Sequence, residues 1–78
     1  MVTFEFMKQV DDVLFYNYYP NCDGLPGEVS ISVDGEIWEL VKLAPDNEAG
    51  TFAEHALMEI YDRLMDGEIP KNGMVAWY

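Results

Sequence analysis

The chain has 78 residues, half of them hydrophobic and 14% aromatic, and its 15 acidic residues against four basic ones give a formal net charge of −11. This length allows one domain, and the aromatic content excludes a disordered acidic tail. The charge disfavours direct binding to nucleic acids and anionic membranes, because both are negatively charged, and favours a cationic protein surface as partner.

The N-terminal quarter of the chain predicts two strands. Residues 2–7 alternate apolar and polar side chains, which is typical of a half-buried strand. Asp11 and Asp12 end the polar stretch that follows and suit a turn. Residues 13–19 are dense in aromatic and β-branched side chains and predict a second strand. Pro20 ends it, because proline has no N–H to donate to a strand ladder.

The next pair of strands is indicated by an Asp-Gly pair. Residues 20–27 are rich in proline and glycine and predict a loop. Residues 28–33 then alternate, Asp34 and Gly35 follow, and residues 36–43 resume the alternation. This pattern predicts a β-hairpin closed by a two-residue type I′ turn.

The predicted turn sets the pairing of the hairpin strands. It places Ile31 opposite Trp38 and Val29 opposite Leu40, on a face apolar enough to belong to the core. The opposite face is mixed in character. It carries Ser30, Ser32, Ile37, Glu39, Val41 and Leu43.

A helix follows. Thr51 and Glu54 have the spacing of a capping box, which predicts a helix from Thr51 to about Asp66, with Gly67 as its C-terminal stop. Apolar residues recur at steps of three and four and form one stripe. They are Ala53, Ala56, Leu57, Ile60, Tyr61 and Leu64.

The last segment, residues 73–78, predicts a final strand. It ends on Trp77 and Tyr78, and such large apolar side chains indicate a segment docked in the sheet or against the helix. The element order is therefore β-β-β-β-α-β. It predicts a single α+β domain over residues 1–78, with a mostly antiparallel sheet of four to five strands and one helix on one face.

Cys22 is the single cysteine, which excludes an intramolecular disulfide and favours a reducing compartment. Residues 1–6 do not resemble a signal peptide, because Glu5 interrupts the apolar run. We therefore predict a cytoplasmic protein. Cys22 also lacks a neighbouring base that would make it a nucleophile.

Candidate metal and catalytic residues are few. His55, Glu59 and Asp62 share one helical face, but a second histidine or a cysteine at metal-ligand spacing is missing. The acidic loop of residues 46–48 lacks the ligand spacing of an EF-hand. No phosphate-binding loop, dinucleotide motif or catalytic triad is present in the sequence. We therefore predict neither a cofactor nor an enzyme, and keep a small-ligand or metal binder as a minor alternative.

The sequence has more aromatic side chains than one helix can cover. Residues 13–19 are apolar on both faces, and an open apolar sheet face requires a cover. A second copy of the chain is the predicted cover, because two-fold dimers are the commonest oligomers. The alternative is a monomer in which the loops and the C-terminal strand wrap that face.

Two functions are compatible with these features. The first is a small acidic interaction domain, an inhibitor or mimic whose carboxylates replace phosphates on a basic protein. In size and charge alone, the chain resembles small inhibitors of phages and mobile elements. The predicted partner contacts are Glu36, Glu39, Glu59, Asp62, Asp66, Tyr16 and Tyr18. The second function is a homodimeric structural or accessory protein whose acidity serves solubility.

Overall fold

The computed structural model describes residues 1–20, 24–45 and 51–76. Within them lie a five-stranded antiparallel sheet, in the order β4-β3-β2-β1-β5, and one helix. This confirms the predicted α+β fold. In chain order the elements are β1 (Val2–Val10), β2 (Val13–Pro20), β3 (Gly27–Ser32), β4 (Trp38–Lys42), α1 (Thr51–Met65) and β5 (Asn72–Val75).

The first strand is longer than predicted because it contains a β-bulge. The register between β1 and β2 shifts between Phe6 and Lys8, and after the shift Lys8 pairs with Phe15. A bulge inserts one residue into a strand and so interrupts the alternation of side chains. Residues 8–10 therefore belong to the strand although their pattern does not show it. Asp11, with a φ of 53°, begins the two-residue turn into β2, as predicted.

The core lies between the sheet and α1. Strand pairing puts Phe4 opposite Tyr18, and Tyr16 opposite Val29, so these side chains share one face of the sheet. The helix packs its apolar stripe onto that face, which removes both surfaces from water. The buried hydrophobic residues are Val2, Phe4, Leu14, Tyr16, Tyr18, Val29, Ile31, Ala44, Ala53, Ala56, Leu57 and Ile60.

Two buried tyrosines anchor the segments that lead into and out of α1. The Tyr16 hydroxyl donates a hydrogen bond of 2.7 Å to the carbonyl oxygen of Pro70, and the Tyr18 hydroxyl accepts one of 2.9 Å from the N–H of Ala44. The ring of Phe4 lies edge-on to Tyr16 at 5.8 Å between centroids. Each hydroxyl therefore has a partner, as a buried polar group requires.

The burial of Tyr16 predicts a loss of stability at alkaline pH. Burial raises the pKa of this hydroxyl to about 12. In the unfolded chain the Tyr16 hydroxyl ionises near pH 10. The neutral hydroxyl therefore stabilises the fold fully below pH 10, and this stabilisation is lost as the pH rises from 10 to about 12. The expected loss is roughly 2–3 kcal/mol. Urea unfolding across this pH range measures it. In Tyr16→Phe the loss should be smaller, and an equal loss would contradict the assignment to Tyr16.

The β3–β4 hairpin has the predicted register but a different turn. Ile31 lies opposite Trp38 and Val29 opposite Leu40, the pairing predicted from the Asp-Gly pair. A type I′ turn requires positive φ at both central residues. Only Gly35 of the predicted pair has one, at 79°, so the prediction of that turn is wrong. Residues 33–37 form a longer connection, and β4 begins at Trp38 instead of residue 36.

The helix ends in a Schellman motif at Gly67. The N–H of Glu68 donates to the carbonyl of Arg63, and that of Gly67 to the carbonyl of Leu64, at 2.9 and 3.0 Å. Gly67 has a φ of 85°, which an L-residue adopts only at a cost. The predicted stop is therefore confirmed, with the last helical residue, Met65, one position before the prediction.

The C-terminal segment is docked in the sheet. β5 pairs antiparallel with the start of β1, with Val75 opposite Val2. This confirms the predicted docking for residues 72–75. Trp77 and Tyr78 lie outside the described residues, as do Cys22 and the acidic loop of residues 46–48.

Candidate protein-interaction surface

The predicted contact residues fall into two groups. Glu36, Glu39, Asp62 and Asp66 are exposed, and Glu59 is half-buried. Tyr16 and Tyr18 are fully buried, so the prediction that they contact a partner is wrong. The physical reason is the register with β1, which turns both rings toward α1 and leaves Val13, Phe15 and Tyr19 on the open face.

Two acidic turns lie side by side at one end of the sheet. The N–H of Val33 donates to the carbonyl oxygen of Asp12 at 2.8 Å, which joins the β1–β2 turn to the β3–β4 connection. Asp11 and Asp12 of the first turn are therefore near Asp34 and Glu36 of the second. All four side chains are exposed.

The C-terminal half of α1 reaches the same end. An ideal Cβ on Gly35 would lie 2.9 Å from the Tyr61 ring and 3.0 Å from the Met65 methyl carbon, so the hairpin tip packs on this part of the helix. Exposed acidic side chains follow each of these two helical residues. We name the surface formed by the two turns the acidic end; its members are Asp11, Asp12, Asp34 and Glu36.

The basic side chains lie outside the acidic end. Lys8 and Lys71 stack over the rings of Phe15 and Phe6, at 5.1 and 4.9 Å from the ring centroids. Arg63 forms an i, i+4 ion pair of 2.9 Å with Glu59. The fourth, Lys42, lies opposite Glu28 in the sheet. The C-terminus of a helix is also the negative end of its dipole. The acidic end therefore carries negative charge with no basic side chain among its members.

A hydrogen-bond network orders the hairpin tip. The Ser32 hydroxyl donates to Asp34 Oδ1 at 2.6 Å and accepts from the N–H groups of Glu36 and Ile37, at 3.1 and 3.0 Å. Asp34 Oδ1 also accepts from the N–H of Glu36 at 3.0 Å. The Ser32 hydroxyl, followed by the N–H of Glu36, holds the pKa of Asp34 below its usual value. The network fixes Glu36 in place.

Removal of the Ser32 hydroxyl tests this hydrogen-bond network. In Ser32→Ala we expect the pKa of Asp34 to rise toward that of a free aspartate, as measured by carboxyl NMR titration. Because the folded-state pKa is lowered, the ionised Asp34 stabilises the fold above its unfolded pKa, and this contribution is lost as pH falls through the folded value. Ser30→Ala, two residues away on the same strand, is the control and should leave the pKa of Asp34 unchanged. An unchanged pKa in Ser32→Ala would contradict the network.

β4, the last of the four sequential strands, is exposed on both faces. Trp38 and Leu40 point to the same side as the core, but α1 covers this strand only in part, and they are 40% and 43% exposed. Trp38 packs on Tyr61 at 5.7 Å between ring centroids, and its Nε1–H donates to the carbonyl of Gly35 at 2.8 Å. Ile37 is 70% exposed. This is more apolar surface than an edge strand usually presents.

A shallow depression of about 450 Å³ lies between β1 and β5, away from the acidic end. Within it the Tyr19 hydroxyl donates to Glu5 Oε1 at 2.9 Å, and this bond raises the pKa of Tyr19. The lining residues are Thr3, Phe4, Glu5, Tyr19, Asn72, Gly73 and Met74. They combine one carboxylate with two hydroxyls, one side-chain amide and apolar groups.

Residues 1–20, 24–45 and 51–76 contain no group of three or more His, Cys, Asp or Glu side chains arranged to hold a metal ion. In the same part of the chain no helix is long and apolar enough to cross a membrane. Comparisons with protein-family models, with curated proteins and with solved structures found no match.

Of the acidic end, the sequence reasoning named Glu36 and missed Asp11, Asp12 and Asp34, although a signal for them was present. In a meander of four sequential antiparallel strands, the first and third turns lie at the same end of the sheet. Asp11 and Asp12 occupy the first turn, and Asp34 and Glu36 lie in the third. Reading the two turns together would have brought these carboxylates into one surface.

Proposed function

We propose that this chain is a cytoplasmic protein-interaction domain without catalytic activity of its own, and that its acidic end binds a basic protein surface. The observation that supports the proposal is the meeting of four exposed carboxylates on two adjoining turns, while the four basic side chains lie elsewhere. These carboxylates repel one another and the negative end of α1. A cationic partner removes that repulsion.

The hairpin tip adds two properties that favour binding. Ile37 directly follows Glu36 and is 70% exposed, so it offers apolar contact beside the charge. Charge speeds association, whereas buried apolar groups provide most of the affinity. The Ser32 network already orders the tip, which lowers the entropic cost of binding.

The same arrangement supports an inhibitor that mimics nucleic acid. Exposed carboxylates on adjacent turns present negative charges to a groove that normally receives phosphates. Such binding weakens as salt rises, because counterions screen both surfaces. It also competes with nucleic acid for the partner.

Affinity capture with charge-matched variants tests this function. The chain is immobilised and exposed to a lysate of its source organism at low salt. Wild type should retain a basic protein that salt or added DNA releases. Asp11→Asn/Asp12→Asn/Glu36→Gln should lose it. The control Glu5→Gln/Glu28→Gln/Glu54→Gln removes the same charge elsewhere and should keep it. Equal retention by both variants, or no basic protein at all, would refute the proposal.

A second candidate function, a homodimeric accessory protein whose acidity serves solubility, is favoured by a different observation. Its support is the exposed apolar strand β4, and not the acidic end. The two functions use separate surfaces and are compatible in one molecule.

A further inference from the structure

The outer side of β4 presents backbone groups for pairing. β4 is an edge of the sheet, and no strand of the described residues pairs with its outer side. The Ser32 N–H donates to the Ile37 carbonyl at 2.9 Å, which makes these residues a hydrogen-bonded pair. Such pairs alternate with non-hydrogen-bonded ones along antiparallel strands. Trp38 and Leu40 occupy the non-hydrogen-bonded positions, so their N–H and C=O groups point outward.

Most side chains along this edge are apolar, and the charges of the others sum to zero. We name residues 37–43 the β4 edge. Glu39 and Lys42 are its charged members and cancel each other, in a chain whose net charge is −11. Each apolar member is at least 40% exposed. They are Ile37, Trp38, Leu40, Val41 and Leu43.

We propose that the β4 edge pairs with the β4 edge of a second copy of this chain, antiparallel, with Leu40 on the two-fold axis. Two registers use the outward groups. One is centred on Glu39 and sets this carboxylate opposite the partner's Glu39, where like charges are destabilising. The register centred on Leu40 sets leucine against leucine and bonds their outward N–H and C=O groups to each other. The inference rests on the second candidate function, the homodimer, and gives it a geometry; it is independent of binding at the acidic end, which is a different surface.

The two charged side chains of the β4 edge itself fit a second copy in this register. The bulge near Glu28 puts Lys42 opposite Glu28, on the open face of the sheet, and Glu39 shares that face because it pairs with Ser30. In the register centred on Leu40, Glu39 lies opposite the partner's Val41 and beside the partner's Lys42. The two-fold axis repeats this contact, which gives two ion pairs across the interface.

The two-fold axis also separates the acidic ends. Each hairpin tip lies at the N-terminal side of β4, so antiparallel pairing directs the two tips to opposite ends of the joint sheet. Ile37 then lies opposite the partner's Leu43, six residues from the partner's Ile37, or about 20 Å along the strand.

Sedimentation of the full chain across protein and salt concentration tests the dimer. Because two copies of charge −11 repel each other, dimerisation should strengthen as salt rises, whereas binding to a basic partner should weaken. Leu40→Lys should be monomeric, because each substituted side chain would face its own copy across the axis and set two like charges against each other. Met74→Lys makes the same change on the β5 edge, where Met74 is also exposed, and should remain dimeric. A wild-type chain that stays monomeric at high salt, or dimerisation unaffected by Leu40→Lys, would overturn the inference.

Disulfide trapping tests the register. Both variants carry Cys22→Ser to remove the natural thiol. Leu40→Cys should cross-link into dimers under mild oxidation, because paired Cα atoms in a ladder lie within disulfide range. Met74→Cys should cross-link only slowly. Faster trapping through Met74→Cys would place the interface on β5 and overturn the proposal, and Leu40→Cys that remains monomeric would overturn the register. Circular dichroism confirms that each variant is folded.

Discussion

Gly27→Ala should lower the free energy of unfolding by about 3 kcal/mol, the upper part of the usual range for overpacking. Gly27 pairs with Tyr18, and an ideal Cβ at this position would lie 2.3 Å from the Tyr18 ring. That ring is fully buried and its hydroxyl bonds to the N–H of Ala44, so it has no space to withdraw. A domain of this size has a small total stability, so the effect is large.

Urea unfolding measures this loss, and a double-mutant cycle assigns its cause. In a Tyr18→Leu background, which removes the clashing ring atoms, the added Gly27→Ala should cost much less than in the wild type. Equal costs in both backgrounds would show that contact with Tyr18 is not the reason.

Leu57→Ala should cost about 2–5 kcal/mol, the range for a large-to-small change in a core. Leu57 is 1% exposed and belongs to the stripe of α1 that packs on the sheet. Its neighbour provides the matched control. Met58 is 53% exposed, and Met58→Ala should change stability by no more than about 0.5 kcal/mol. If thermal or urea unfolding showed similar losses for both variants, the packing of α1 described above would be wrong.

The elements and their pairing were predictable where a single pattern determined them. The Asp-Gly pair between two alternating runs predicted that Ile31 lies opposite Trp38, and the structure confirms this pairing although the turn itself differs. The conformation of the turn was not predictable from the Asp-Gly pair. The Ser32 hydroxyl and the Asp34 carboxylate form hydrogen bonds that stabilise a longer connection instead. Side-chain to backbone bonds of this kind compete with the regular turn.

The faces of β2 were ambiguous in the sequence for a physical reason. Both sets of alternating side chains in residues 13–19 are apolar, so periodicity cannot decide which set is buried. Pairing with Phe4 and Phe6 of β1 determines which set of side chains is buried, and this set includes Tyr16 and Tyr18. These contacts depend on residues far apart in the chain.

The candidate site was predictable only in part. The exposure of Glu36, Glu39, Asp62 and Asp66 agrees with their choice as surface residues. The exposure of Leu40 does not follow from its core-facing side, because coverage depends on where α1 lies across the sheet. That position is a property of tertiary packing, which local patterns do not contain.

An NMR titration tests most directly the central claim that the acidic end is where a basic partner binds. The isotope-labelled chain is titrated with a lysine oligopeptide at low salt, and amide shifts are followed along the described residues. The largest changes should occur at Asp11, Asp12, Asp34 and Glu36, and should fade as salt is added. Equal or larger changes around Glu5 or Glu54, on other parts of the surface, would contradict the claim.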